Sequence, residues 1–241
     1  MKLFKLLVII LLLVATSCGK DDASLNPDPK PVQDSIKFIR GGITLHWNTQ
    51  VKNFNPVIKK NMVETFYKVY PKIIAEYNTG ASNVVTFEIL PVAKIGDNEY
   101  PAYTSGKTIT FNANYLINNA SDWDIVTHEA VHVMQEGAQY VGWLNEGVAD
   151  YIRYQYGVHN VTGWRQAFLG EKAQDYKDGY GRTGRFLLWV EKNIKAGTVK
   201  ALDNELRRGV YKEETTWKTV TGLTLDELGQ LYQKSPNANM P

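Results

Sequence analysis

The sequence predicts an α+β fold: a small mixed sheet, a helix that carries the candidate active site, and a mainly helical C-terminal half. Three observations lead there. Between residues 43 and 111 lie short segments that either alternate apolar and polar residues or are solidly apolar, the patterns of half-buried and core strands. Apolar residues at a helical period run from Val57 to Ile73 and return from Phe186 onward, marking amphipathic helices. Between them, Ile125, Val126, Ala130, Val131, Val133 and Met134 surround two His and one Glu with apolar bulk. With 241 residues, 44% hydrophobic, 12% aromatic and 22% charged, the chain is long enough for one core.

The first 35 residues read as addressing and tether. Met1-Lys2-Leu3-Phe4-Lys5 supplies a positive region and Leu6 to Val14 an apolar run too short to span a membrane. Ala15-Thr16-Ser17 then lead into Cys18, the only cysteine. This order of regions resembles a bacterial lipoprotein signal, with residues 1–17 removed and Cys18 carrying the lipid. Gly19-Lys20-Asp21-Asp22 resembles the acidic export tag of Bacteroidetes-type surface lipoproteins, so an outer-membrane lipoprotein exposed at the cell surface is expected, with the membrane's inner face as the alternative because the tag is short. Pro27, Pro29 and Pro31 make residues 18–35 a flexible linker. The domain is expected over residues 36–235. With one Cys it has no internal disulfide, and its stability rests on packing. The formal charge is +2, but Lys2 and Lys5 leave with the leader, giving 25 Lys+Arg against 25 Asp+Glu. That balance argues against a nucleic-acid surface. A monomer is expected.

Ile43-Thr44-Leu45-His46-Trp47 alternates as a half-buried strand, with His46 on its polar side. Asn55 and Pro56 cap and open a helix whose apolar stripe is Val57, Ile58, Met62, Phe66, Val69 and Ile73. Pro71 should kink or divide it. Asn83 to Val92, with Val84, Val85, Phe87, Ile89 and Leu90, reads as a core strand. Lys107 to Phe111 alternates again; its Thr108, Ile109 and Thr110 read either as one more strand or as a candidate sheet edge where an extended substrate could pair. Ser121 or Asp122 should cap the next helix. The later chain is helical: Arg182 to Ile194 carries Phe186, Leu187, Val190 and Ile194 on one stripe, and Thr224 with Glu227 starts a last helix with a capping box.

Chemistry concentrates between His128 and Asp150. His128 and His132 are four apart, so on a helix both imidazoles lie on one face about one turn (~5.4 Å) from each other and can reach one ion. With Glu129 they form an H-E-x-x-H pattern, in which two His bind zinc and the Glu acts as general base. A single buried His would be a core residue with a hydrogen-bond partner; a pair enclosing a Glu, among only four His in the chain, favours one Zn²⁺ per chain. A catalytic zinc needs a third protein ligand and one open position. Glu146 suits that ligand, and Asp150, one turn on, could orient a ligand His. Gly137 and Gly142 bracket the connection, and Gly147 and Ala149 would let two helices approach closely. For stabilising an oxyanion, Tyr180, Tyr151, Arg182, Arg185 and His159 come into view, with packing roles the simpler reading of Tyr180 and Arg185.

His128-Glu129-x-x-His132-x-x-Gln135 followed by Trp143-Leu144-x-Glu146-Gly147-x-Ala149-Asp150-Tyr151 resembles the basic secretory protein family of zinc peptidases. Tyr103-Thr104-Ser105-Gly106 and Gly179-Tyr180-Gly181-Arg182-Thr183-Gly184-Arg185-Phe186-Leu187 extend the match over roughly residues 36 to 234. Gly184 stands where that family usually has Ala. The resemblance implies a zincin-like fold, a protein or peptide substrate, and support for the metal ligands from Gln135 and Asp150. Its Glu-x-x-x-Asp arrangement is similar to that of gluzincins. A catalytically silent protein- or glycan-binding module, or a peptidase restricted to glycosylated proteins, are the alternatives; the first predicts a damaged Glu129, which is intact.

Overall fold

The computed structural model describes residues 34–160 and 162–241. The expected signal peptide, Cys18 and most of the linker lie outside these residues. The first described strand, β1 (Asp34–Arg40), opens two residues before the expected domain start and pairs antiparallel with β2 (Ile43–Thr49). Gly41 and Gly42 join them at φ 54° and 79°, the left-handed backbone that a two-residue hairpin turn requires.

α1 (Pro56–Tyr77) crosses from β2 to β3 (Val84–Leu90), which runs parallel to β2. Asn55 Oδ1 accepts the amides of Val57 and Ile58, as the cap expected from sequence. Pro71 lies inside α1 without dividing it; tertiary packing of Val69, Tyr70 and Ile73, all buried, outweighs the one lost backbone bond. Val57, by contrast, faces solvent at the first turn. Then come a small hairpin of β4 (Ala93–Ile95) and β5 (Asn98–Tyr100), and β6 (Ala102–Ser105) paired antiparallel with β7 (Thr108–Asn112).

The sheet order is β1-β2-β3-β7-β6, which corrects one expectation. Thr108, Ile109 and Thr110 are not at an edge: β7 lies between β3 and β6, and Ile109 and Thr110 are buried. Alternation reports which way side chains face, not which strands flank them, so strand order was not in that signal. The edge strands are β1 and β6, and β6 is the one that packs beside α3.

The rest is helical: α2 (Ala113–Asn118), α3 (Ile125–Met134), α4 (Gly142–Tyr156), α5 (Thr162–Gly170), α6 (Tyr180–Asn193), α7 (Thr198–Arg207), α8 (Glu213–Thr221) and α9 (Leu225–Lys234). Phe66 of α1 packs edge-on to Phe87 at 5.3 Å, and Phe87 meets Phe111 at 5.0 Å, joining α1 to the sheet. Around α6, Phe186 packs with Tyr176, Trp217 and Tyr232. Truncating one such buried Phe to Ala typically costs about 3–5 kcal/mol. The capping box of Thr224 and Glu227 opens α9 as expected.

Gly147 does serve a close approach, but its partner is α6. A Cβ there would come within 2.1 Å of Thr183 Cγ2. Thr183 is fixed in turn, because its hydroxyl donates to the Tyr176 carbonyl and accepts from the Gly179 amide. Gly184 has a similar reason: Phe168 comes within 2.8 Å, and the Tyr151 amide within 3.1 Å, of the position an Ala Cβ would take.

Candidate metal centre

α3 and α4 bring His128, His132 and Glu146 together, with one ligand atom from each lying within 4.8 Å of the others. The Nε2 atoms of His128 and His132 are 3.2 Å apart, and Glu146 Oε2 is 3.2 Å from the first and 3.4 Å from the second. A metal held tetrahedrally at ~2.0–2.1 Å places its ligand atoms roughly 3.3–3.4 Å apart, so the triangle has the size such an ion needs. The chemistry of the donors points the same way. Asp150 Oδ1 lies 2.7 Å from His128 Nδ1, which makes that nitrogen the donor. In a neutral ring Nε2 then offers only a lone pair, with Glu146 Oε2 and His132 Nε2 each 3.2 Å away; a proton or a cation must sit among the three.

Without an ion the proton does so. Burial disfavours the His128 cation, yet Asp150 and Glu146 outweigh it and push its pKa up to about 10. Burial likewise works against the charge of Glu146, but hydrogen bonds from His128 and His132 prevail and hold its carboxyl well below the usual range. A metal would take the place of that proton.

Glu129 is buried beside the triangle. Thr104 Oγ1, on β6, lies 2.7 Å from Glu129 Oε2 and 3.2 Å from the Glu129 carbonyl oxygen. The sequence offered no signal for this contact, since it joins a strand to a helix 25 positions away. All of these residues line one open cleft of about 840 Å³, walled by β6, α3, α4, α5 and the start of α6.

Tyr180 stands at the cleft. Its ring stacks on that of His128, with centroids 6.0 Å apart and planes at 13°. It has φ 45°, an uncommon backbone for a bulky residue and one found most often at functional sites. Partial burial first, then the nearby Glu146, push its phenol up to about 12, so it stays a hydrogen-bond donor at neutral pH.

The other oxyanion candidates lie elsewhere. Tyr151 is buried away from the cleft, where burial and then Glu191 and Glu76 raise its pKa; it sits next to Asp150 on α4 and so points to another face. Arg182 is engaged on the surface by Asp178, Asp175 and Glu171. Arg185 is buried, bonded to the Leu169 and Pro236 carbonyls, Tyr232 and Asn237, as a packing residue. His159 is exposed and stacks on Trp123 at 4.5 Å. Gln135 lines the cleft but touches no ligand: its Nε2 donates to Asp203, which Arg207 also holds. It braces α3 against α7 rather than supporting a ligand directly. The cap of α3 is neither Ser121 nor Asp122 but Asp124, whose carboxylate accepts the amides of Val158, His159 and Asn160 and so ties α3 to the loop after α4.

Two His and a carboxylate at metal-binding separation, with a second carboxylate beside them in an open cleft, define a candidate hydrolytic metal centre. Residues 44–232 match the model of a family described as peptidase of plants and bacteria, and the chain belongs to that family. No curated protein matched. Among solved structures, the chain is similar to an M1 zinc metallopeptidase from Deinococcus radiodurans bound to a Tyr-Ser-Ala substrate, at 14% identity over 82% of this chain and 49% of that one, TM-score 0.46. It is also similar to a two-domain M1 zinc metallopeptidase bound to L-arginine, at 14% identity over 86% of this chain and 49% of that one, TM-score 0.39. The chain spans about half the length of each.

Proposed function

We propose that this member of a peptidase family is a zinc-dependent endopeptidase, with one zinc held by His128, His132 and Glu146 and with Glu129 as general base. The observation that carries the reading is the donor triangle, with edges of 3.2, 3.2 and 3.4 Å, beside a buried carboxylate at an open cleft. Zinc there would supply Lewis acidity to the scissile carbonyl and to the attacking water. Glu129 takes a proton from that water as its oxygen attacks the carbonyl carbon, and delivers a proton to the amine as the C–N bond breaks. Thr104 occupies one Glu129 oxygen and leaves the other for the water. Asp150 fixes the tautomer and orientation of His128. The Tyr180 hydroxyl is the donor for the carbonyl oxygen as charge develops on it.

Substrate pairs with β6. The Asn112 amide donates to the Pro101 carbonyl, so in an antiparallel ladder Tyr103 and Ser105 also bond toward β7, and the amides and carbonyls of Ala102 and Thr104 point outward. An extended peptide on that edge runs past Thr104, whose side chain holds the base. The intact Glu129 and its partner speak against a silent binding module. Cys18, outside the described residues, anchors the protein to the outer membrane through its lipid. The test is a proteome-derived peptide library incubated with zinc-loaded and chelator-stripped protein. Cleavage is expected only with metal; identical digestion in both samples, or none with zinc fully bound, overturns the reading.

A further inference from the structure

The cleft continues past the metal triangle into a recess with no role in the chemistry above. α4 lines both: Glu146, Asp150 and Arg153 follow one another at spacings of four and three, which puts them on one helix face with Arg153 ~10.5 Å along the axis from Glu146. The side chain of Arg153 is only 6% exposed, and its position is set on two sides. Its guanidinium lies over the Trp164 ring, 4.2 Å from the centroid, and Nη2 donates to Asp122 Oδ1 at 2.5 Å. Asp122 Oδ2 accepts the Tyr115 hydroxyl at 2.7 Å.

The hydrogen-bond inventory of the recess is unbalanced. A guanidinium carries five N–H donors, and among the described residues Arg153 uses one nitrogen, with Nε buried and without a partner. Both Asp122 oxygens, by contrast, are engaged. What the recess has left over is donors on a fixed cation. Apolar and aromatic walls from Ile125, Trp164 and Phe168 lower the local dielectric and strengthen any charge-assisted bond made there.

We infer that Arg153 is a specificity-determining residue of the peptidase cleft, which binds a substrate carboxylate within about three residues of the cleaved bond, given ~3.4 Å per extended residue. The inference rests on the proposed peptidase activity at the neighbouring triangle. The carboxylate has two possible sources, an Asp or Glu side chain within the substrate or the free C-terminus of a short peptide. Glu171 also lines the cleft, but it already faces Arg182 at 3.4 Å, so it does not compete for Arg153.

The test uses matched peptides: internal Glu against Gln around one cleavable bond, and free against amidated C-termini. A preference of at least ~10-fold in kcat/KM for the carboxylate member of one pair is expected, the scale of one charge-assisted hydrogen bond. In Arg153→Gln that ratio should fall toward 1, and Arg153→Lys, which keeps the charge but not the fork, should recover part of it. A strut tying α4 to the loop before α3 would instead lower all peptides in parallel and leave the ratio standing. Calorimetric binding of the same peptides to Glu129→Gln measures the preference without turnover, so an absence of hydrolysis would tell against the proposed function while the Arg153 question is still answered. Equal binding and equal cleavage within both pairs overturns the inference.

Discussion

Removing the carboxylate of Glu146 separates a metal ligand from a base more sharply than any other change. In Glu146→Ala the two imidazoles remain 3.2 Å apart at Nε2, but the only anionic donor of the triangle is gone. At zinc 100-fold above its dissociation constant, binding stabilises the parent by about 2.7 kcal/mol. For a domain of this size about 1 kcal/mol moves Tm by roughly 2–4 °C, so zinc should raise the parent's Tm by about 5–11 °C. Glu146→Ala should lose most of that rise and retain little metal after desalting. Glu129→Gln should behave in the opposite way. It keeps its shape and the Thr104 contact, binds about one zinc per chain with the full Tm rise, and loses at least ~100-fold in turnover, the scale of a missing general base. Differential scanning calorimetry with metal analysis of both variants decides the matter. A Glu146→Ala protein with undiminished zinc and an undiminished Tm rise would refute the assignment, and the third ligand would lie elsewhere.

Further outcomes follow from the same geometry. Ala102→Pro removes an outward amide of β6 without touching the ladder to β7, and should raise KM several-fold with zinc content unchanged; unchanged KM across a set of peptides would remove β6 as the substrate edge. The shifted pKa values fix a pH dependence for chelated protein. The Glu146 contribution is present above its ordinary pKa of 4.5 and lost as pH falls below it, and the His128 contribution is complete below 6.5 and lost as pH rises through about 10. Chelated protein should therefore be most stable between these limits, and zinc affinity, which requires the His128 proton to leave, should rise about tenfold per pH unit through neutrality; titrations showing flat affinity would contradict the shared proton. Cys18→Ala should move the protein from membrane to soluble fractions, and unchanged partitioning would dismiss the lipid anchor.

The clustering of His128, His132 and Glu146 was legible in the sequence because each position depends on a local ruler. Spacings of four at His128/His132 and at Glu146/Asp150 are readable once a helix is assumed, and the apolar neighbours on α3 justify the assumption. The same holds for Asn55 at the start of α1 and Thr224 at the start of α9, where cap chemistry is local. What failed was long-range. No periodicity states that β7 is flanked by β6, that Gly147 faces Thr183, or that Asp124 turns to the amides of residues 158–160. Tyr151 and Tyr180 were equivalent as sequence; only the placement of α6 against α4 buries one and brings the other over His128.

That placement also leaves α4 no spare room beside Glu146. Glu146 must stand 3.2 Å from His128 Nε2, while the next residue packs against Thr183 with no room for a methyl group. Thr183 in turn holds the Gly179 amide, the residue before Tyr180. One short chain of contacts therefore runs from a candidate metal ligand through Gly147 and Thr183 to the turn that carries the proposed oxyanion donor. The uncommon φ of Tyr180 persists because the turn is held at both ends, by Thr183 on one side and by the ring stacked on His128 on the other. Packing that looks structural in the sequence thus sets the distance between the ligand and the donor, and a methyl group added at Gly147 would disturb both together.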